Sequence, residues 1–319
     1  MPRRTTDFGI AADSLTDTTP EPTYAGALSF LRRRYTKSLE GADVAVVGVP
    51  LDLATTNRPG ARFGPAAVRA ASAVMASEQP YGWEFDPRDR LATIDYGDVA
   101  FDFGRPDTLV NDIAGQLATI VDAGVLPLVI GGDHFISYPV LQAIYARHGP
   151  VSLIHFDAHS DTWEDDPERF FDHGTMFRRA ANNGWIEPAH SVQIGLRTFN
   201  PDTMGFNILD APWVHRHGVD ATLERTREIV GDRKVYVTFD IDCLDPAFAP
   251  GTGTPVSGGL SSAQAIEMLN GLRGINVVGA DVVEVAPAYD VGDITALAAA
   301  HIGFIYLALF ASVGAGDRG

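Results

Sequence analysis

Three stretches of the chain share one hydropathic pattern: a short apolar, β-branched run that stops abruptly at Asp or His. Residues 151–156 (Val-Ser-Leu-Ile-His-Phe) lead into Asp157-Ala-His159-Ser-Asp161. Residues 235–239 (Val-Tyr-Val-Thr-Phe) lead into Asp240-Ile-Asp242-Cys-Leu-Asp245-Pro246. Residues 126–130 (Leu-Pro-Leu-Val-Ile) lead into Gly131-Gly132-Asp133-His134. Runs of this length and composition predict buried strands. Further candidates lie at 43–49, 91–95, 191–195 and 276–283, the last ending in Glu284. Helical spacing occupies 66–76, where Pro65 suits the first helical position, and 108–123, where Gly124 suits the residue after the C-cap. It recurs at 138–147, 176–183, 223–230 and 262–272, and a helix closes the chain. Strands alternating with helices predict an α/β fold, a parallel sheet covered by helices on both faces. Residues 1–40 are polar and proline-bearing, with a short helical candidate at 24–35. They read as an N-terminal extension lying on the domain or on a neighbouring subunit. Residues 41–319 read as one domain, without linker or repeat.

In such sheets the ligand crevice lies beyond the carboxyl ends of the strands. His134, Asp157, Asp240 and Glu284 each stand where a strand has just ended, so the topology brings them to one rim. A strand places alternate side chains on one face. Residues 157, 159 and 161 would therefore point the same way if the extended path continues past the strand end. Carboxylates and imidazoles gathered beside apolar strands are costly unless a cation holds them. His134, Asp157, His159, Asp161, Asp240 and Asp242 are accordingly read as one metal site. His155, inside its strand, reads as a core or supporting residue rather than a ligand. A donor set of Asp and His without thiolate favours Mn, Mg, Zn, Co or Fe. Six ligands with four acids are too many for one tetrahedral zinc and suit two ions bridged by carboxylates. Such a pair lowers the pKa of a bridging water, so that hydroxide is available for attack near neutral pH. The expected reaction class is hydrolysis.

Composition narrows this further. The 45% hydrophobic content over 319 residues suffices for a full globular core. Cys243 is the single cysteine, which excludes an internal disulfide and a cysteine zinc site and points to a reducing, cytoplasmic setting. A net charge of -17 argues against nucleic acid, which needs clustered Lys and Arg, and is compatible with a small cationic substrate. Arg3 and Arg4 have no apolar run behind them, so a signal peptide is not expected. Residues 294–313 are apolar and long enough to span a bilayer. They lack an aromatic belt and flanking positive charge before Arg318. Burial against the sheet is the expectation, with no membrane partner.

The Gly-Gly-Asp-His134, Asp157-Ala-His-Ser-Asp161 and Asp240-Ile-Asp-Cys-Leu-Asp-Pro246 motifs resemble the three signatures of the ureohydrolases, the arginase and agmatinase family. The resemblance runs from about Asp43 to the C-terminus and includes Gly251-Thr-Gly-Thr254-Pro-Val-Ser-Gly-Gly259 and Val282-Val-Glu284-Val-Ala-Pro287. It implies an arginase-like three-layer fold and a centre of two Mn2+ ions. In that pattern His134, Asp157, Asp161 and Asp240 hold one ion, while Asp157, His159, Asp240 and Asp242 hold the other. Family members cleave a guanidinium group to urea and an amine. The resemblance further implies that Glu284 pairs bidentately with the guanidinium and that Asp161 accepts a hydrogen bond from the hydroxide. His173, in the loop after the Asp-Ala-His motif, would shuttle a proton to the leaving amine. Thr254 would support the guanidinium end. Trimers or hexamers are the assemblies implied.

The substrate's tail is the remaining question. Thr162 and Trp163 stand where the arginase pattern carries an Asn, and Asn200 where it carries an Asp. The loop 163–171 is acidic and aromatic, a rim suited to an apolar tether ending in an ammonium. Segments 172–177 and 248–254 look agmatinase-like. The expectation is therefore agmatine plus water giving putrescine plus urea, a step of polyamine biosynthesis, with Trp163 beside the substrate. Whether the acids of 164–168 touch substrate or only solvent stays open. The alternatives are a guanidino acid such as 4-guanidinobutyrate, with Arg169 as carboxylate partner, and a metal-binding protein without turnover.

Overall fold

The computed structural model describes residues 23–166 and 168–313. Its first half runs β1 (Val44–Val49), α1 (Gly64–Ser72), β2 (Thr93–Asp98), α2 (Pro106–Asp122), β3 (Leu126–Gly131), α3 (Ser137–His148) and β4 (Ser152–Phe156). There follow α4 (Met176–Asn182), β5 (Val192–Ile194), β6 (Asn207–Leu209), α5 (Ala211–Val230), β7 (Val235–Asp240), α6 (Ser262–Gly271), β8 (Val277–Val283) and α7 (Ile294–Ser312). The strands form one eight-stranded sheet in the order β2-β1-β3-β8-β7-β4-β5-β6. Every pairing is parallel.

Alternation along the strands divides the core between two faces. Val44 and Val46 pack on the side that carries α1, α5, α6 and α7, whereas Ala45 and Val47 pack against α2 and α3. The result is the expected three-layer α/β architecture. Strand side chains are buried on both faces, which is why these runs read as continuously apolar. The long apolar segment near the C-terminus is a sheet-covering helix: α7 is buried through most of its length and packs against α1, α6 and β8. Gly303 lets α7 approach closely, since a Cβ there would lie 2.8 Å from the Phe30 ring.

Two local expectations change, and one strand was not anticipated. The candidate helix at 24–35 is a single 3-10 turn, Phe30–Arg32, with positive φ at Leu31 and Arg32. Its Phe30 and Leu31 are nevertheless fully buried in the core. The helix expected at 223–230 begins much earlier, at Ala211, where the Asp210 side chain caps it by accepting the Trp213 N–H. Gly218, at φ 82, breaks its path and masks the period. The three-residue strand β6 was too short to show a pattern. Residues 1–22, and with them most of the expected extension, lie outside the described residues.

Candidate metal centre

The four neighbouring strands β3, β8, β7 and β4 deliver the chemistry to one rim. At the end of β3, Gly132 is required sterically. A Cβ there would overlap the carbonyl oxygens of Val49 and Leu51 and lie 2.9 Å from the Leu51 amide. This close passage lets His134 turn inward. Its Nδ1 lies 2.9 Å from Asp161 Oδ2, 3.0 Å from Asp157 Oδ2 and 3.3 Å from Asp240 Oδ2. Beside this group, His159 Nδ1 lies 3.0 Å from Asp242 Oδ2 and 3.4 Å from Asp157 Oδ1. The six residues anticipated from sequence therefore converge in two lobes that share Asp157.

The route to that convergence differs from the extended path considered for 157–161. Asp157 Oδ1 accepts the His159 N–H at 2.6 Å, curling the chain, and Asp161 takes φ 51. His159 and Asp161 thus fall on opposite lobes instead of one strand face. The same device recurs after β7, where Asp240 Oδ1 accepts the Asp242 N–H at 2.8 Å and a 3-10 turn follows at Ile241–Cys243. In each case the first Asp spends one oxygen on its own turn and aims the other at His134.

The charges in this cluster call for a cation. His134 Nδ1 is buried without a hydrogen-bond partner although carboxylate oxygens surround it. Burial opposes charging His159, yet Asp242 and Asp157 overcome it and push the imidazole up to about 12. Burial together with neighbouring Asp242 and Asp157 raises Asp240 well above the usual carboxylate range. Burial and the Asp157 charge raise Asp161. Protons are thus drawn to a place where oxygen and imidazole donors suit hard or borderline divalent ions. His155 is accounted for otherwise. Gln193 Nε2 donates to the Ser160 carbonyl at 2.6 Å and to His155 Nδ1 at 3.0 Å, leaving Nε2–H to donate to Asp157 Oδ2 at 2.7 Å.

Glu284 follows β8 with φ 65 and is fully buried. Its Oε1 accepts from the His134 backbone N–H at 2.9 Å and faces His173 Nδ1 at 2.7 Å, while Oε2 has no partner. On the other side of the His173 ring, Nε2 lies 2.8 Å from Thr56 Oγ1. Burial works against a charged His173, but Glu284 prevails and raises it to about 9. Burial and the Glu284 charge push nearby Asp133 up to about 8. A cavity of about 310 Å³ opens over the cluster. It is lined by Thr56, His159, Asp161, Trp163, Glu164, Asp172, His173, Gly174, Thr175, Asp240 and Thr254. Thr254 Oγ1 donates to Asp242 Oδ2 at 3.2 Å, and the Trp163 ring stands 6.1 Å from that of His159.

Thr56, Asp133, Gln193, Thr238 and Asp281 also join this network and were not singled out from the sequence. Asp281 alone carried a signal, an acid inside the apolar run of β8.

The Arginase family profile matches residues 42–308. The chain belongs to the arginase family. It is 54% identical over 297 residues to an agmatinase of Chromobacterium violaceum, covering 93% of this chain and 92% of that protein. Its fold matches a solved structure titled as a hypothetical agmatinase from Burkholderia thailandensis, with TM-score 0.92, 57% identity and coverage of 96% and 98% of the two chains. A proclavaminate amidino hydrolase from Streptomyces clavuligerus matches at TM-score 0.87 and 37% identity, over 92% of this chain and all of the other. As an arginase-family protein, the chain is a ureohydrolase with an arginase-like fold.

Proposed function

We propose that this ureohydrolase hydrolyses agmatine to putrescine and urea with two Mn2+ ions. The observation that carries the reading is the wall of the cavity: it presents the carboxyls of Asp161, Glu164, Asp172 and Asp240 and neither Lys nor Arg. Agmatine is a guanidinium and an ammonium joined by a methylene chain, so both its ends favour such a wall. The loop acids are not equivalent. Asp165 pairs with Arg179, and Asp166 caps its own turn by accepting the Glu168 N–H at 2.9 Å. Glu164 lines the cavity and is the acid offered to the ammonium. Arg169 lies 3.4 Å from Asp172 Oδ2 and does not line the cavity, which disfavours a guanidino acid.

His134, Asp157, Asp161 and Asp240 would hold one ion, and Asp157, His159, Asp240 and Asp242 the other. Bound there, the ions would supply Lewis acidity and lower the pKa of a bound water. The chain's own residues do the rest. Glu284 Oε2, buried and unpaired, accepts the guanidinium N–H groups and holds the electrophilic carbon in place. His173, clamped between Glu284 and Thr56, carries a proton to the departing amine. Asp161 accepts a hydrogen bond from the attacking nucleophile. Thr254 holds Asp242, and Trp163 covers the tether. We extend the reading to a cytoplasmic homo-oligomer, trimer or hexamer, in keeping with the family resemblance.

Urea release from agmatine, 4-guanidinobutyrate and arginine by the Mn-loaded protein tests the proposal. Agmatine is expected to be turned over best. Urea chiefly from 4-guanidinobutyrate would refute the reading of the acidic wall, and no urea from any of them would refute the activity.

A further inference from the structure

Behind His134, on the side away from the carboxylate cluster, lies a second buried polar chain. His134 Nε2 is 2.8 Å from Thr238 Oγ1, and Thr238 Oγ1 is 2.6 Å from Asp281 Oδ1. Asp281 Oδ2 accepts from Ser137 Oγ at 2.6 Å and from Tyr236 Oη at 2.7 Å. Ser137, Tyr236, Thr238 and Asp281 are all fully buried. The placement is a consequence of strand register. Thr238 of β7 pairs with Asp281 of β8, and Tyr236, two residues back along β7, points to the same face.

Proton counting fixes the direction of this chain. Asp281 accepts from three hydroxyls, so the single hydroxyl hydrogen of Thr238 is committed to Asp281 Oδ1. Thr238 Oγ1 can then only accept from His134, which places a hydrogen on Nε2. With that hydrogen on Nε2, Nδ1, which faces Asp157, Asp161 and Asp240, is the ring nitrogen whose lone pair a cation would take. We propose that Thr238 and Asp281 are positioning residues that set the tautomer and ring orientation of His134, and thereby the affinity of the ion on the His134 lobe. His159, on the other lobe, makes no contact with this chain of hydroxyls. The effect is therefore confined to one of the two ions, and it rests on the two-ion reading above.

Thr238→Val keeps the shape of the side chain and removes the acceptor. The His134 Nε2–H is left buried and unpaired, which favours moving the hydrogen to Nδ1, where it competes with the ion. Loss of such a supporting partner weakens metal binding by about 10- to 100-fold. The experiment is a calorimetric Mn2+ titration of the full-length, metal-depleted chain, with circular dichroism to check folding. The expected result for Thr238→Val is one ion bound as in the parent and the other about 10- to 100-fold more weakly. Thr238→Ser, which retains the hydroxyl, is expected to restore the second ion. Thr238→Ala replaces the valine variant if that one does not fold, with the same expectation. Tyr236→Phe removes a donor from Asp281 without interrupting the chain and is expected to leave both ions unchanged.

Two ions bound at parental affinity by the valine or alanine variant would overturn the inference. So would equal weakening of both ions, or failure of the serine variant to restore binding. Selective weakening in Tyr236→Phe would do the same, because it would make the effect one of packing around Asp281. A parent chain that binds fewer than two ions would overturn the two-ion reading itself, and this inference with it.

Discussion

Glu284→Gln isolates the contact proposed above for guanidinium recognition. The Glu284 side chain is 1% exposed, and its two oxygens have different tasks. Oε1 is occupied by the His134 N–H at 2.9 Å and by His173 Nδ1 at 2.7 Å; Oε2 is the unpaired acceptor. Glutamine can retain the first pair by keeping its oxygen at the Oε1 position. It must then present an NH2 group where Oε2 stood, opposite the N–H groups of the substrate. Hydrogen bonds to charged groups contribute about 1.5–3 kcal/mol each. Losing one such bond and setting donor against donor should cost about 3–4 kcal/mol of transition-state stabilisation. At about 1.4 kcal/mol per decade this is roughly two to three orders of magnitude in kcat/KM. Urea release from agmatine measures the loss, with metal analysis to show that Mn content is unchanged. A variant that keeps both ions and loses less than about tenfold in kcat/KM would refute the assignment of Oε2.

Other consequences follow from groups at a greater distance or from pH. Arg69 is paired with Asp95 through Nε at 2.9 Å and Nη2 at 3.1 Å, and with Asp98 through Nη1 at 2.6 Å. Arg69→Met strands a buried Asp95 and should destabilise the fold by about 3–5 kcal/mol in urea unfolding; a change below about 1 kcal/mol would contradict this. Gly132→Ala drives a Cβ into backbone atoms of Val49 and Leu51 and should lower both the melting temperature and Mn content, so a variant with parental values of both would refute the steric argument. In the metal-depleted chain, Asp133 is raised to about 8 and His173 to about 9, so the folded state holds protons that the unfolded state releases. Their contribution to stability is complete below the unfolded values of about 4 and about 6.5 and is lost as pH rises through the folded ones. The melting temperature of that chain should fall from pH 6.5 to pH 9, and a flat or rising profile would count against these environments.

The sequence alone determined the class of fold and the identity of the converging residues. Apolar strands buried on both faces have no polar alternation to hide them, and a hydrophilic stop such as Asp157, Asp240 or His134 marks where each reaches the rim. The family signatures supplied the rest, because they consist of the residues that the chemistry requires. Their orientation was decided only by the tertiary structure. Asp157 and Asp240 turn inward by hydrogen bonds to their own following backbone, which period-two reasoning does not anticipate. Strand order was equally hidden: β3, β8, β7 and β4 are neighbours although their positions in sequence are widely separated. That order sets Thr238 and Asp281 behind His134, and it places Glu284 between His134 and His173. Local sequence reports which side chains a strand carries to its end. Which of them meet depends on pairings among distant strands, and those are set by the packing of the whole sheet between its two helical layers.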